Sequence, residues 1–126
     1  MWIKSLVPAK GDRLVAEAKN EIVVFVTTSS EEEAVRIGRK LVEAGLAACA
    51  NVLPRVRSIF RWEGQVSDEQ ESLMILKSRA SLLEELVTMV KGLHSYKVPE
   101  IIALPIQGGS ADYLKWIGDV TDKLRK

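Results

Sequence analysis

The amino-acid sequence predicts an α+β fold, a ferredoxin-like βαββαβ sandwich with an extra C-terminal helix. Three observations carry this. Apolar runs of strand character alternate with amphipathic runs of helical period, in the order strand–helix–strand, strand–helix–strand, helix. Ser30 with Glu33 and Ser81 with Glu84 make capping-box patterns where the two long helices should start. Right-handed crossovers of two such units build one four-stranded antiparallel sheet with both helices on a single face.

Each element has its own justification. Residues 1–20 read as an N-terminal extension, punctuated by Pro8, Gly11 and Asp12, with helical character for a turn or two from Arg13 to Lys19. A fusion remnant, an unstructured arm and a partner-docking helix all suit it. The folded domain is expected over residues 21–126. Its first strand, Glu21 to Thr28, is apolar on both faces, as a central strand would be. A helix follows from Glu31 to Ala44, with Ala34, Ile37, Gly38 and Leu41 on its inner stripe and Glu31 and Glu32 at its positive end. Gly45 should end it in a left-handed turn.

The stretch from Gly45 to Gly64 is too long for an ordinary strand and too rich in Val, Ile, Phe and Trp for a loop. Pro54 has no amide donor, so the ladder should break there at an edge or a bulge. The far half, Ser58 to Trp62, is expected to reach beyond its own sheet and to offer unpaired backbone to another chain. Glu63-Gly64-Gln65 and the acidic Ser67-Asp68-Glu69 should turn the chain into a third strand, Glu71 to Ser78. A helix over residues 81 to 93 carries Leu82, Leu86, Met89, Val90 and Leu93 at helical spacing. The fourth strand, Glu100 to Ile106, is bounded by Pro99 and Pro105. Gly108-Gly109 reads as a turn, and Ser110 opens a last helix from Ala111 to about Thr121.

Two helices cover one face of a sheet, yet the first, third and fourth strands are apolar on both. The open face is therefore expected to be buried against other subunits. Composition narrows the rest. Lys and Arg total 18 against 17 Asp and Glu, a formal charge of +1, which gives no global attraction to nucleic acid or anionic membrane. The apolar run at Met1 to Val7 is too short for a secretory signal, and no segment approaches the length of a membrane span. A single cysteine cannot form an internal disulfide and points to the cytoplasm; a single histidine excludes a multi-histidine zinc site within one chain.

Several of these pieces together resemble the CutA divalent-cation tolerance family. They are Val24-Phe25-Val26-Thr27-Thr28, Gly45-Leu46-Ala47-Ala48-Cys49-Ala50-Asn51, Ser58-Ile59-Phe60-Arg61-Trp62-Glu63-Gly64, Ile75-Leu76-Lys77-Ser78, His94-Ser95-Tyr96-Lys97-Val98-Pro99-Glu100 and Tyr113-Leu114-Lys115-Trp116. The resemblance covers about residues 21 to 121. It implies a ferredoxin-like protomer, an intimate homotrimer of PII-like architecture, and a role in tolerance of copper and other divalent metals. The family usually carries proline where Ser95 stands, so the loop before the fourth strand is expected to be less rigid here. Residues 1–20 have no counterpart in the family core.

His94 and Glu100 flank that loop and are the candidate metal ligands. Imidazole suits copper, zinc and nickel, and a carboxylate can complete such a site, with copper(II) or another divalent ion as the expected occupant. Two ligands are too few, so water, a backbone carbonyl or residues of a neighbouring subunit would supply the others. The alternative leaves His94 interacting with the carbonyls at its helix end and Glu100 an ordinary strand-end carboxylate. Cys49 offers a soft ligand for copper(I), but among Ala47, Ala48, Ala50 and Val52 it reads as core. Trp62 and Trp116 are assigned to packing between or beneath subunits. Arg55, Arg57 and Arg61 alternate along the long strand; with Lys97 they could hold a small anionic effector in an intersubunit cleft, or they make a solvated strand face. No Ser-His-Asp constellation, phosphate-cradling loop or paired-cysteine motif is present, so no enzyme is expected. Three readings follow: a trimeric metal-tolerance protein, a PII-like regulator, and a non-catalytic scaffold.

Overall fold

In the computed structural model, which describes residues 14–125, β2 (Glu21–Thr28), β3 (Cys49–Trp62), β4 (Gln65–Arg79) and β5 (Ile101–Pro105) form the main sheet. Its order is β3-β4-β2-β5, and it is antiparallel throughout. With α1 (Glu31–Glu43) and α2 (Leu83–Leu93), both packed on one face, this is the expected βαββαβ sandwich. The core lies between that face and the helices. Val24, Val26, Met74 and Leu76 from the sheet meet Ile37, Leu41, Leu86 and Val90 from the helices. Gly38 lets α1 approach the sheet closely. A Cβ there would sit 2.9 Å from the Ala50 Cβ and 3.1 Å from the Met74 sulfur, inside normal contact.

The ends of α1 follow the sequence. The Ser30 hydroxyl accepts the Glu33 amide at 3.1 Å. At the other end Gly45 is left-handed, with φ 73. Its amide donates to the Val42 carbonyl and that of Leu46 to the Leu41 carbonyl, the paired bonds of a Schellman stop. The second capping box does not form. Ala80–Leu82 makes a 3₁₀ turn, and α2 starts behind it on Leu82 with no side-chain cap. The cause is the strand before it. Pairing of β4 persists to Arg79, opposite Glu21, and the Ala80 amide is bound to the Asn20 carbonyl at 2.7 Å. The chain must then turn tightly.

The strand after the long one starts earlier than the sequence suggested. The residues at 67–69 expected to turn lie inside β4, and the turn is Glu63–Gly64 alone, with φ 50 and 79. Two successive left-handed residues make the hairpin turn whose twist suits both strands, so pairing resumes at once between Trp62 and Gln65. The far half of β3 is thus paired within its own chain. It does leave the main sheet, because β2 pairs with β4 only from Ser72 onward. Residues 56–71 project as a two-stranded ribbon.

The stretch read as a turn or two of helix at 13–19 also differs. Arg13 and the residues before it lie outside those described, and Val15–Glu17 is strand β1. It pairs with β6 (Gly108–Ser110), where only a turn was expected. A Cβ on Gly108 would lie 2.7 Å from the Ala16 carbonyl oxygen, so glycine is what admits the arm. Helix α3 (Ala111–Arg125) follows and closes a second cluster, in which Ala48, Leu114 and Ile117 gather Ala16, Ala18 and Trp116. The Arg79 guanidinium donates to the Thr121 hydroxyl at 2.9 Å. These contacts place α3 over one end of the sheet face opposite α1 and α2. The rest of that face stays open: Leu53, Ile102 and Leu104 are 42%, 52% and 51% exposed.

Candidate functional site

A cleft of about 700 Å³ opens where the ribbon leaves the sheet. One wall is ribbon, including Phe60, Trp62 and Glu69; the other is the 94–100 loop, with Tyr96, Lys97 and Glu100. A bulge makes the ribbon face this way. Leu53 pairs with Leu73 and Val56 with Glu71, so β3 holds two residues, Pro54 and Arg55, against Ser72 alone. Arg55 takes the left-handed backbone, φ 59. Side chains alternate along a strand, and one extra residue reverses the alternation. Before the bulge Cys49, Asn51 and Leu53 share the open face; after it Val56, Ser58, Phe60 and Trp62 do, in register with Glu71, Glu69, Ser67 and Gln65.

The loop is held by buried polar groups. Glu33, at the start of α1, accepts the Ser29 amide at 3.0 Å and the Ser29 hydroxyl at 2.8 Å on one oxygen, and the Ser95 amide at 2.7 Å on the other. Burial pushes its carboxyl up, but the hydrogen bonds from Ser29 and Ser95 outweigh this and bring it down to about 2. A carboxylate accepting several amides is strongly stabilised as the anion. The His94 side chain is completely buried. Its Nε2 donates to the Thr27 carbonyl at 2.7 Å, and its Nδ1 accepts the Tyr96 amide at 3.0 Å. The Tyr96 hydroxyl then donates to Glu71 Oε2 at 2.6 Å. Burial raises the Tyr96 phenol, the bond to Glu71 raises it further, and the charges of Glu71, Glu33 and Glu69 add to this.

The sequence-predicted residues are distributed unevenly over this frame. Glu100 lines the cleft, whereas His94 sits behind it with both ring nitrogens engaged. Lys97 and Arg61 line the cleft too. Arg55 and Arg57 border a separate, shallower depression with Asp68, and there Arg57 is held by both Asp68 oxygens at 2.8 and 2.7 Å. That ion pair uses two of the five guanidinium donors and holds the group away from the cleft lining. Cys49 lies 3.6 Å from the Tyr113 hydroxyl under α3, remote from the cleft lining. Trp62 is half exposed on the ribbon, and Trp116 packs beneath α3 against Tyr113. Sequence reasoning missed Glu71, Glu69 and the reach of Glu33. Glu33 was legible as a capping residue, but nothing local shows a bond to Ser95 in a loop 62 positions away.

A ferredoxin-like α+β fold with a projecting ribbon and a carboxylate-lined cleft beside it is the class this structure defines. The chain belongs to the CutA1 divalent ion tolerance protein family, whose pattern matches residues 22–120. The divalent-cation tolerance protein CutA of Thermus thermophilus is 46% identical over 101 residues, covering 80% of this chain and 98% of that protein. A chloroplastic CutA of Arabidopsis thaliana is 46% identical over 100 residues, 79% of this chain. This chain spans 55% of that plant protein's length and 56% of a rice relative's. Among solved structures, CutA1 from Thermus thermophilus superposes with a TM-score of 0.76 at 47% identity, covering 77% of this chain and 94% of that one. CutA1 from Oryza sativa gives 0.79 at 42% identity, covering 83% and 96%.

Proposed function

We propose that this chain acts in divalent-metal tolerance as a homotrimer that binds metal ions weakly, copper(II) foremost, in clefts between subunits. The observation that carries the reading is the pairing of an uncovered apolar sheet face with a carboxylate-lined cleft beside the projecting ribbon. Apolar surface of that kind is typical of an interface, and Phe60 and Trp62 extend it along the ribbon. The described residues of one chain do not offer a metal enough ligands by themselves. Among the described residues no three of His, Cys, Asp and Glu converge so as to hold an ion. Glu100, with Glu69 on the opposite wall of the cleft, supplies oxygen donors, and a second chain would have to complete the set. Copper(II) leads the divalent series at most nitrogen and oxygen sites.

The test is light scattering at micromolar chain concentration together with thermal unfolding in the presence of Cu(II), Zn(II) and nucleotides. A trimer mass, with stabilisation by metal, is expected, since a ligand of the native state alone raises its stability. A monomer mass, or indifference to every metal, would overturn the proposal. Arg61 and Lys97 in the same cleft favour a second reading, a small anionic effector, and stabilisation by nucleotide but not by metal would select it.

A further inference from the structure

We infer that His94 serves as a neutral positioning residue, protonated on Nε2, that sets Tyr96 against Glu71 at the cleft, and that it gives no lone pair to a metal ion. The argument is one of donors and acceptors. The Thr27 carbonyl can only accept, so the Nε2 at 2.7 Å from it carries the proton. The Tyr96 amide can only donate, so Nδ1 at 3.0 Å from it is the bare nitrogen. Each ring nitrogen has its one partner, and the side chain is wholly buried. Glu33 Oε2 lies 3.8 Å from Nδ1, a distance that would suit an ion pair with a charged ring. That oxygen is already bound to the Ser95 amide at 2.7 Å, and the Tyr96 amide occupies the direction a second ring proton would need.

A metal could reach Nδ1 only by displacing the Tyr96 amide, and Nε2 only after loss of its proton and of the Thr27 bond. The ring does a different job. It joins the end of β2 to the first turn of the loop, and the loop delivers the Tyr96 hydroxyl to Glu71. The His94 and Tyr96 rings also pack at 4.8 Å between centroids. His94 thereby fixes one wall of the cleft without facing it.

His94 is the only histidine of the 126-residue chain, so histidine-selective ¹⁵N labelling of this chain reports on one imidazole. Long-range proton–nitrogen correlation near neutral pH should show protonated Nε2 and bare Nδ1, unchanged by stoichiometric Zn(II). Copper(II) paramagnetic resonance spectra should be identical for ¹⁴N- and ¹⁵N-histidine protein. An Nδ1–H tautomer, an imidazolium, a zinc-induced nitrogen shift or a label-dependent copper spectrum would each overturn the inference. The positioning role is read from hydrogen exchange of the Tyr96 amide. His94→Ala should speed it at least tenfold, and His94→Asn should restore most of the protection, because the introduced amide oxygen can accept the N–H two residues on. Equal protection in the parent and both variants would refute positioning. If the protein takes up neither ion, the metal reading proposed above fails, while the tautomer and the amide exchange still decide this one.

Discussion

Replacing Glu33 by glutamine swaps one carboxylate for an amide of nearly the same shape, so its effect reports on charge and hydrogen bonding and not on volume. In the parent chain Glu33 is 6% exposed and accepts from the Ser29 amide, the Ser29 hydroxyl and the Ser95 amide. Its carboxyl lies at about 2 against an ordinary 4.5, a gap equivalent to roughly 3 kcal/mol of preference for the anion in the fold. Glutamine presents one oxygen and one N–H₂ group, which sets a donor against a donor on one side. Breaking charge-assisted bonds of this kind costs about 1.5–3 kcal/mol each, in keeping with the first figure. The expected loss for Glu33→Gln is therefore about 3 kcal/mol near neutral pH. A depressed carboxyl stabilises the fold above its unfolded value and loses that contribution as pH falls through its folded value. The gap between parent and variant should accordingly be full above about pH 5, shrink below 4.5 and close near 2. Urea unfolding at one fixed chain concentration, repeated down the pH scale, measures it. Coincident midpoints at neutral pH, or a gap that does not change with pH, would refute the account of Glu33.

Three further outcomes are expected. Ser95→Pro removes the amide that Glu33 accepts, so it should destabilise the chain, and together with Glu33→Gln it should cost less than the two separate losses added; strict additivity in a double-mutant cycle would count against the contact. Gly38→Val places side-chain atoms inside contact distance of Ala50 and Met74, and overpacking there should cost about 1–3 kcal/mol, read as a lower urea midpoint with unchanged far-ultraviolet dichroism. Trp62→Ala should weaken self-association by about 2 kcal/mol or more if the tryptophan anchors the subunit contact. Light scattering on dilution measures this, and a mass that never departs from the parent's would count against the ribbon as interface.

Much of the fold was legible because period and capping are local. The apolar run of β2, the stripe of α1, the Gly45 stop and the break at Pro54 all follow from residues within a few positions of one another. What escaped depended on partners distant in sequence. Ser81 has the residue pattern of a cap but lacks the geometry, because pairing of Arg79 with Glu21 dictates the entry to α2. Residues 67–69 look like a turn from their polarity, yet they lie on the ribbon, beyond the helix-covered part of the sheet, where a strand makes no demand for apolar residues at each position. The arm at Val15–Glu17 is strand only because Gly108–Ser110 lies beside it. Of the site, Glu100 was found as a strand-end carboxylate in the right loop. His94 was singled out for its chemistry, and its hydrogen-bond partners were invisible from spacing.

The bulge at Pro54 and Arg55 has a bearing on how such a surface can evolve. Loss of one residue between Leu53 and Val56 would remove the bulge and leave Val56 opposite Glu71, so Phe60 and Trp62 would keep their side. A single three-base deletion there changes the bend of the strand and not the faces it presents. The far half of the strand takes its register from the Glu63–Gly64 turn, and the bulge takes up the one-residue difference in length between the two halves. This is the point in the segment where chain length can vary while both the sheet and the aromatic side of the ribbon are kept.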